Sequence, residues 1–243
     1  MNPRTIWLYW EGSRPAYIDL CIKTVFAHND NVMHLDWTGF DRLFVEEREL
    51  PVNGLALNHK SDFIRAFLLY HYGGLYLDAD CIVLRNLGAI LDATEQTGFA
   101  GYREPQGYMS CNLMASVPRA EVISEHYHHV CEAVRSRRPL EWLDLASVPM
   151  NQAIAAHPGK AQLFPTELIM PLPWNESPHL SIRRHDEGHR KFFQNAAYCY
   201  MLSNNTIKSS DHSRIICYLP EEHLLQDRYF ISYLFRQALN LAY

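Results

Sequence analysis

With 243 residues, 48% of them hydrophobic and 20% charged, the chain has the make-up of an ordinary soluble globular protein, long enough for one large domain with a substantial core. Its net charge of -5 offers no basic field to a polyanion, which argues against nucleic-acid binding. No stretch nears the roughly 18 uninterrupted apolar residues of a membrane span, and the amino-terminal Met-Asn-Pro-Arg-Thr-Ile-Trp lacks the apolar core of a signal segment, so a cytoplasmic protein is expected.

Ile6 to Trp10 reads as a buried strand, Tyr17 to His28 as a helix with Ile18, Cys21, Ile22, Val25 and Phe26 inward, and Val32 to Trp37 as a second strand. This is a βαβ opening. A polar connection through Glu46-Glu47-Arg48-Glu49 leads to Phe63, Ile64, Phe67, Leu68 and His71 at helical spacing. With Asn58 or Ser61 available as a cap, that helix is expected to run to Tyr72 and stop at Gly73. Gly73-Gly74 then permits a sharp reversal into a strand from Gly74 to Asp78. Cys81 to Leu84, Phe99 to Tyr102 and Asn112 to Ala115 are further strand candidates.

A helix follows from Pro118 to about Arg138, and a second near Pro149 to Ala156, as a flank on the core. Residues from Phe164 to Asn195 carry Pro165, Pro171, Pro173 and Pro178 with little periodicity, the pattern of a long loop. Ala196 to Leu202 reads as a late strand, Ser203 to Ser213 as a polar loop, and Glu221 to Tyr243 as a terminal helix opened by Pro220 and two acids. The fold class is therefore α/β with a mixed sheet, in one domain. Cys21, Cys81, Cys111, Cys131, Cys199 and Cys217 form no CxxC pair, so buried free thiols are expected rather than a zinc site or a disulfide framework.

The stretch from Asn58 to Asp80 carries the chemistry. From Asp62 to Tyr72 a helix climbs about 15 Å at ~1.5 Å per residue, and a strand from Gly74 to Asp78 returns about 13 Å at ~3.3 Å per residue. If the helix packs back along the strand, Asp62 and Arg65 lie beside Asp78 and Asp80 at the strand's carboxyl end, where open α/β sheets bind ligands. Two carboxylates one residue apart at such an end can hold a hard divalent ion.

Ser61-Asp62-x-x-Arg65 followed by Tyr-Gly-Gly-Leu-Tyr76-Leu-Asp78-x-Asp80 resembles the signature of the DxD glycosyltransferases with a sugar-binding region. That group includes yeast-type α-mannosyltransferases, capsular polysaccharide synthesis transferases and glucosylating clostridial toxins. Ile6-Trp-Leu-Tyr-Trp10-Glu-Gly12 is similar to the same group's first strand, and the two segments cover roughly the first 85 residues. The resemblance implies a GT-A fold, a Rossmann-like mixed sheet flanked by helices. Residues 1–118 would form the nucleotide-sugar-binding core, and residues 119–243 the acceptor-side helices, loop and terminal helix.

It further implies a nucleotide-sugar donor, often UDP-linked, a divalent Mn²⁺ or Mg²⁺, and retention of anomeric configuration. The acceptor would be a hydroxyl of a glycan or lipid-linked saccharide, in bacterial surface or capsular polysaccharide synthesis, which leaves room for peripheral contact with the inner membrane face. By the resemblance Asp80 binds the metal, Asp78 contacts the ribose and the metal, and Asp62 and Arg65 hydrogen-bond the donor sugar. Trp10 lies against the nucleobase, Tyr76 helps at the ribose, and Asn112 faces the acceptor. In the late loop the residues Ser203-Asn204-Asn205 replace the expected histidine, with Asn204 at the donor, Asn205 at the metal and His212 as a remote alternative.

Plainer readings stand beside these. Asp62 and Arg65 also fit a simple i,i+3 helix pair, Trp10 a core residue, and Tyr76 the packing of a sheet face. His126, His128 and His129 invite a zinc reading, but no partner at ligand spacing accompanies them, so a solvated helix face is expected. The segment Arg228 to Arg236 is apolar with few basic residues, which favours a helix packed on the domain. A sugar nucleotidylyltransferase is the rival enzyme, lacking here its Gly-rich phosphate loop; a silent nucleotide-sugar or glycan-binding protein of the same fold is the non-enzyme rival.

Overall fold

The computed structural model describes residues 3–181, 196–226 and 229–241. Chain order begins β1 (Ile6–Tyr9), α1 (Ala16–His28), β2 (Val32–Leu35) and α2 (Trp37–Asp41). The motif segment forms α3 (Leu57–Tyr72) and β3 (Gly74–Leu77), followed by β4 (Cys81–Val83), α4 (Gly88–Thr97), β5 (Phe99–Arg103) and β6 (Met109–Ser116). Then come α5 (Glu121–Ser136), α6 (Ser147–Ala156), β7 (Gln162–Phe164) and α7 (Thr166–Ile169). The last are β8 (Cys199–Met201), α8 (Asn204–Ser209), α9 (Glu221–Gln226) and α10 (Phe230–Ala238).

These elements fall into two compact units that interleave along the chain. The first comprises Met1–Glu11, Asn31–Leu77 and Gly88–Phe164; the second comprises Gly12–Asp30, Asp78–Leu87 and Pro165–Tyr243.

The first unit is built on a six-stranded mixed sheet in the order β2-β1-β3-β6-β5-β7. β1 runs parallel to β2 and β3, and β6 runs antiparallel to β3 and β5. Every residue of β1, β3 and β6 is buried, as expected where both faces of a sheet are covered. α3 presents Phe63 and Phe67 to Phe44 in edge-on contacts at 5.6 and 5.4 Å, which explains why the apolar spacing in the sequence was helical.

The helix ends where the glycines allow it. Gly73 takes φ 66° and Gly74 φ 93°, and a Cβ on Gly74 would stand 2.2 Å from the Thr5 carbonyl oxygen. That close approach lets Leu75 N–H reach Thr5 O at 2.9 Å while Trp7 Nε1 donates to Gly73 O at 2.7 Å, tying β3 to β1.

The second unit holds a two-stranded antiparallel pair, β4 with β8. α1 docks on β4 through polar caps: Thr24 Oγ1 receives Val83 N–H at 2.9 Å, and Asn29 Oδ1 receives Leu87 N–H at 2.9 Å. α10 buries Phe230, Ile231, Leu234 and Phe235, so the apolar terminal segment is packed inward.

Several expectations change. β4 and β8 pair with each other and not in the main sheet, a choice that apolar runs do not encode. β2 ends at Leu35 because Asp36 caps α2, its carboxylate receiving Gly39 N–H at 2.7 Å, so Trp37 is helical. Asn58 and Ser61 lie inside α3, whose N-cap position is Ala56 with no side-chain bond. Ser203 to Ser213 contains α8, and the expected terminal helix is two helices, α9 and α10. The expected loop from Phe164 contains α7 and a 3-10 segment, Trp174–Ser181, while residues 182–195 lie outside the described residues. α4 and β7 were not anticipated.

Candidate active site

In the first unit, the early turns of α3 carry a buried polar cluster. Asp62 and Arg65 are 6% and 7% exposed, with Arg65 Nη2 3.4 Å from Asp62 Oδ1. His59 Nδ1 is 4.0 Å from the other carboxylate oxygen. The Arg65 guanidinium lies 5.1 Å over the ring of Tyr76, whose hydroxyl is 3.0 Å from Ser61 Oγ. Burial raises the Asp62 pKa, and Arg65 and His59 offset that only in part. A carboxylate left short of compensation inside a protein is suited to accept hydrogen bonds from an incoming polyhydroxylated ligand.

Packed against α3, α5 brings in His126. It is fully buried, neither ring nitrogen has a hydrogen-bond partner, and its pKa falls to about 3 through burial first, then the charges of Arg65 and His129. The solvated face expected for this histidine is therefore corrected: the imidazole is held neutral in the core, and His129 instead meets Glu125 at 3.3 Å.

Trp10 follows the carboxyl end of β1, half-buried, its backbone N–H bonded to Leu35 O at 3.0 Å; the core tryptophan of this strand is Trp7. Beside it in sequence, Glu11 receives the Tyr9 hydroxyl at 2.6 Å and Lys60 Nζ at 3.0 Å. Burial opposes ionisation of Glu11, but these two partners together hold its pKa below the usual carboxylate value. Lys60 is itself buried and lies 4.9 Å over the Trp37 ring. The Glu11–Lys60 pair was not singled out in the sequence, although Glu11 lies inside the quoted first-strand motif and Lys60 directly precedes Ser61 of the second. Asn112 is buried in β6, where Oδ1 receives the hydroxyls of Tyr102 at 2.8 Å and Ser110 at 3.0 Å.

In the second unit, Asp78 O receives Cys81 N–H at 3.2 Å in the turn into β4. Asp80, 9% exposed, is fixed twice: its backbone oxygen receives Leu202 N–H at 2.9 Å and its Oδ2 receives Asn204 N–H at 2.8 Å. The Tyr17 hydroxyl donates to Asn204 Oδ1. Between Leu202 and Asn204, Ser203 adopts φ 51° and its buried Oγ has no hydrogen-bond partner. Asn205 is exposed in the first turn of α8, and His212 is exposed beyond it. Tyr17 was missed because nothing in α1 marks a tyrosine that will meet a residue 187 positions later.

The first unit thus brings Asp62, Arg65 and Tyr76 together, and the second brings Asp80 to Asn204. The donor chemistry of Asp78, Asp80, Ser203, Asn204 and Asn205 is oxygen alone, which fits Mg²⁺ or Mn²⁺, and the orphaned Ser203 Oγ is the kind of atom a ligand would satisfy.

The fold is GT-A. A structure of the galactosyltransferase LgtC in complex with donor and acceptor sugar analogues is 12% identical, covers 98% of this chain and 96% of its own, and superposes with a TM-score of 0.52. The apo form of the glycosyltransferase GlyE of Streptococcus pneumoniae TIGR4 is 12% identical, covering 98% of this chain and 63% of its own, with a TM-score of 0.56.

Within that fold, residues 15–97 match the family described as the glycosyltransferase sugar-binding region containing the DXD motif, so the resemblance read from Asp62, Arg65, Asp78 and Asp80 holds. The probable glycosyltransferase FCK3 of Fusarium pseudograminearum (strain CS3096) is 25% identical over 108 residues, 37% of this chain. The chain spans about a quarter, 27%, of that relative's length. Among the described residues no helix is long and apolar enough to cross a membrane.

Proposed function

We propose that this protein is a retaining glycosyltransferase that moves a sugar from a nucleotide diphosphate sugar, UDP-linked in the first instance, to a hydroxyl of a free or lipid-linked glycan. The observation that carries the reading is that the segment matching the sugar-binding region holds both the buried Asp62–Arg65 pair and the acidic pair Asp78 and Asp80.

Asp78, Asp80 and the oxygens of the Ser203–Asn205 turn would hold Mn²⁺ or Mg²⁺, which when bound neutralises charge on the diphosphate leaving group. Asp80 is kept in place for this by its two backbone hydrogen bonds. Asp62 accepts hydrogen bonds from donor-sugar hydroxyls, and Arg65 donates to them. Trp10 offers a flat face to the nucleobase, Tyr76 supports the ribose side, and Asn112 orients the acceptor. In a retaining transfer the bond from anomeric carbon to phosphate oxygen breaks as the acceptor oxygen bonds to that carbon on the same face. The acceptor's proton passes to the departing phosphate, so no protein base is assigned.

The test is a panel of nucleotide sugars incubated with Mn²⁺ without acceptor. One donor is expected to be hydrolysed, and Asp80→Ala is expected to lose that turnover by on the order of 100-fold or more. Full, metal-independent turnover by Asp80→Ala would overturn the proposal, and binding of a donor with no turnover under any condition would make the protein a silent binder.

A further inference from the structure

A second group in the first unit has the composition of a metal centre and plays no part in the reading above. Glu46 and Glu47, on the segment between α2 and α3, and His71, in the last turn of α3, each offer a ligand atom within 4.8 Å of the others. Glu46 Oε2 is 3.6 Å from His71 Nδ1, and Glu47 Oε2 is 3.7 Å from Nε2. Neither contact is short enough for a hydrogen bond. The His71 side chain is 9% exposed, and its buried Nε2 has no hydrogen-bond partner.

Each ring nitrogen of His71 thus faces a carboxylate oxygen across a gap too long for a hydrogen bond, and the buried Nε2 is left for a ligand to satisfy.

The surroundings are those of a built site. Tyr127 donates its hydroxyl to Glu47 Oε2 at 2.8 Å, the outer-shell bond that orients a ligating carboxylate. Phe67, Tyr70 and Tyr127 wall the imidazole at ring distances of 4.3, 4.8 and 5.5 Å, fixing its plane.

We propose that Glu46, Glu47 and His71 bind one Zn²⁺ ion, which clamps the Glu46–Glu49 segment onto α3. One nitrogen and two carboxylates form a borderline donor set that favours zinc over the Mg²⁺ or Mn²⁺ suited to oxygen-only sites. Ligand atoms about 2.1 Å from a tetrahedral ion stand roughly 3.4 Å apart, so the Nε2–Glu47 spacing need shrink by only a few tenths of an ångström. Glu46, with its side chain 66% exposed, is able to rotate into the remaining position.

The test uses the full chain carrying Asp80→Ala, so that the oxygen-only site is disabled and failure of the transferase reading leaves this result unaffected. Zn²⁺ alone is titrated calorimetrically, and thermal unfolding is followed with and without it. One equivalent should bind to this background and raise the melting temperature. Binding should weaken at least tenfold when Glu46→Gln and Glu47→Gln are added, with the melting shift abolished. His71→Ala should do the same; if it fails to fold, the paired glutamine variant, which keeps side-chain shape, decides. Absence of stoichiometric binding in the Asp80→Ala background, or equal affinity after the glutamine changes, overturns the proposal.

Discussion

Replacing Asp80 in two ways separates its chemical role from its structural one. The carboxylate takes the Asn204 N–H at 2.8 Å in a site 9% exposed, so Asp80→Ala deletes a charge-assisted hydrogen bond and orphans a backbone donor. Hydrogen bonds to charged groups contribute about 1.5–3 kcal/mol, and the alanine variant should lose about 2 kcal/mol of stability. Asp80→Asn keeps an oxygen of the same shape opposite that N–H and should lose less than ~1 kcal/mol. Both variants remove the negative charge that the proposed donor site requires, so both should lose donor turnover by on the order of 100-fold or more. Urea denaturation followed by circular dichroism gives the first quantity, and Mn²⁺-dependent nucleotide-sugar hydrolysis on the same preparations gives the second. An asparagine variant that keeps more than a tenth of wild-type turnover would show that the charge is not needed. An alanine variant as stable as wild type would show that the tie to Asn204 contributes nothing.

Gly74→Ala places a Cβ 2.2 Å from Thr5 O at φ 93°, which forces β1 and β3 apart and should cost more than about 3 kcal/mol. Gly12→Ala, at φ 94° with open space around it, should cost about 1 kcal/mol from backbone strain alone, and equal denaturation midpoints for the two would contradict the packing at β1 and β3. His126→Leu removes a buried ring whose pKa is depressed from 6.5 to about 3, so the stability its neutral form contributes is intact above 6.5 and is lost as the pH falls toward 3. Thermal unfolding across that window should show a shallower acid decline in the variant; an unchanged slope would mean that His126 titrates normally.

The helix–glycine–strand unit was legible because each of its signals is local: Phe63, Ile64, Phe67 and Leu68 give the period, Gly73 and Gly74 give the stop, and Asp78 and Asp80 follow. What local pattern does not carry is the partner. Ile82 and Val83 read as strand residues in either sheet, and pairing with Tyr200 and Cys199 depends on a segment more than a hundred residues away. The same holds at the site. Asp62 and Arg65 were found by their spacing, whereas Tyr17 meets Asn204 only through the tertiary fold. His126 was misread because a histidine on an amphipathic helix is as compatible with the apolar stripe as with the wet one, and its burial is set by α3 packing against α5.

The Asp62–Arg65 pair lets stability and function be weighed against each other. A buried ion pair repays its desolvation only with good geometry, and this one is long, with Arg65 Nη2 3.4 Å from Asp62 Oδ1. Asp62 carries the consequence as a raised pKa, with burial the leading cause. The folded protein then holds that proton more tightly than the unfolded chain does. Stability attributable to Asp62 therefore falls as pH rises from the ordinary carboxylate value through the raised one. Replacing both residues together, Asp62→Leu with Arg65→Met, should leave stability unchanged or raise it by about 1–4 kcal/mol and flatten that slope. Asp62→Leu alone should destabilise by about 3–5 kcal/mol, because the Arg65 charge then stays buried without its carboxylate. Donor turnover should be lost in both. If the double variant were much less stable than wild type, the pair would be holding α3 in place, and the plainer reading of it as an i,i+3 helix contact would stand. A stable, inactive double variant would mean that the chain keeps a costly pair in its core for what the pair binds.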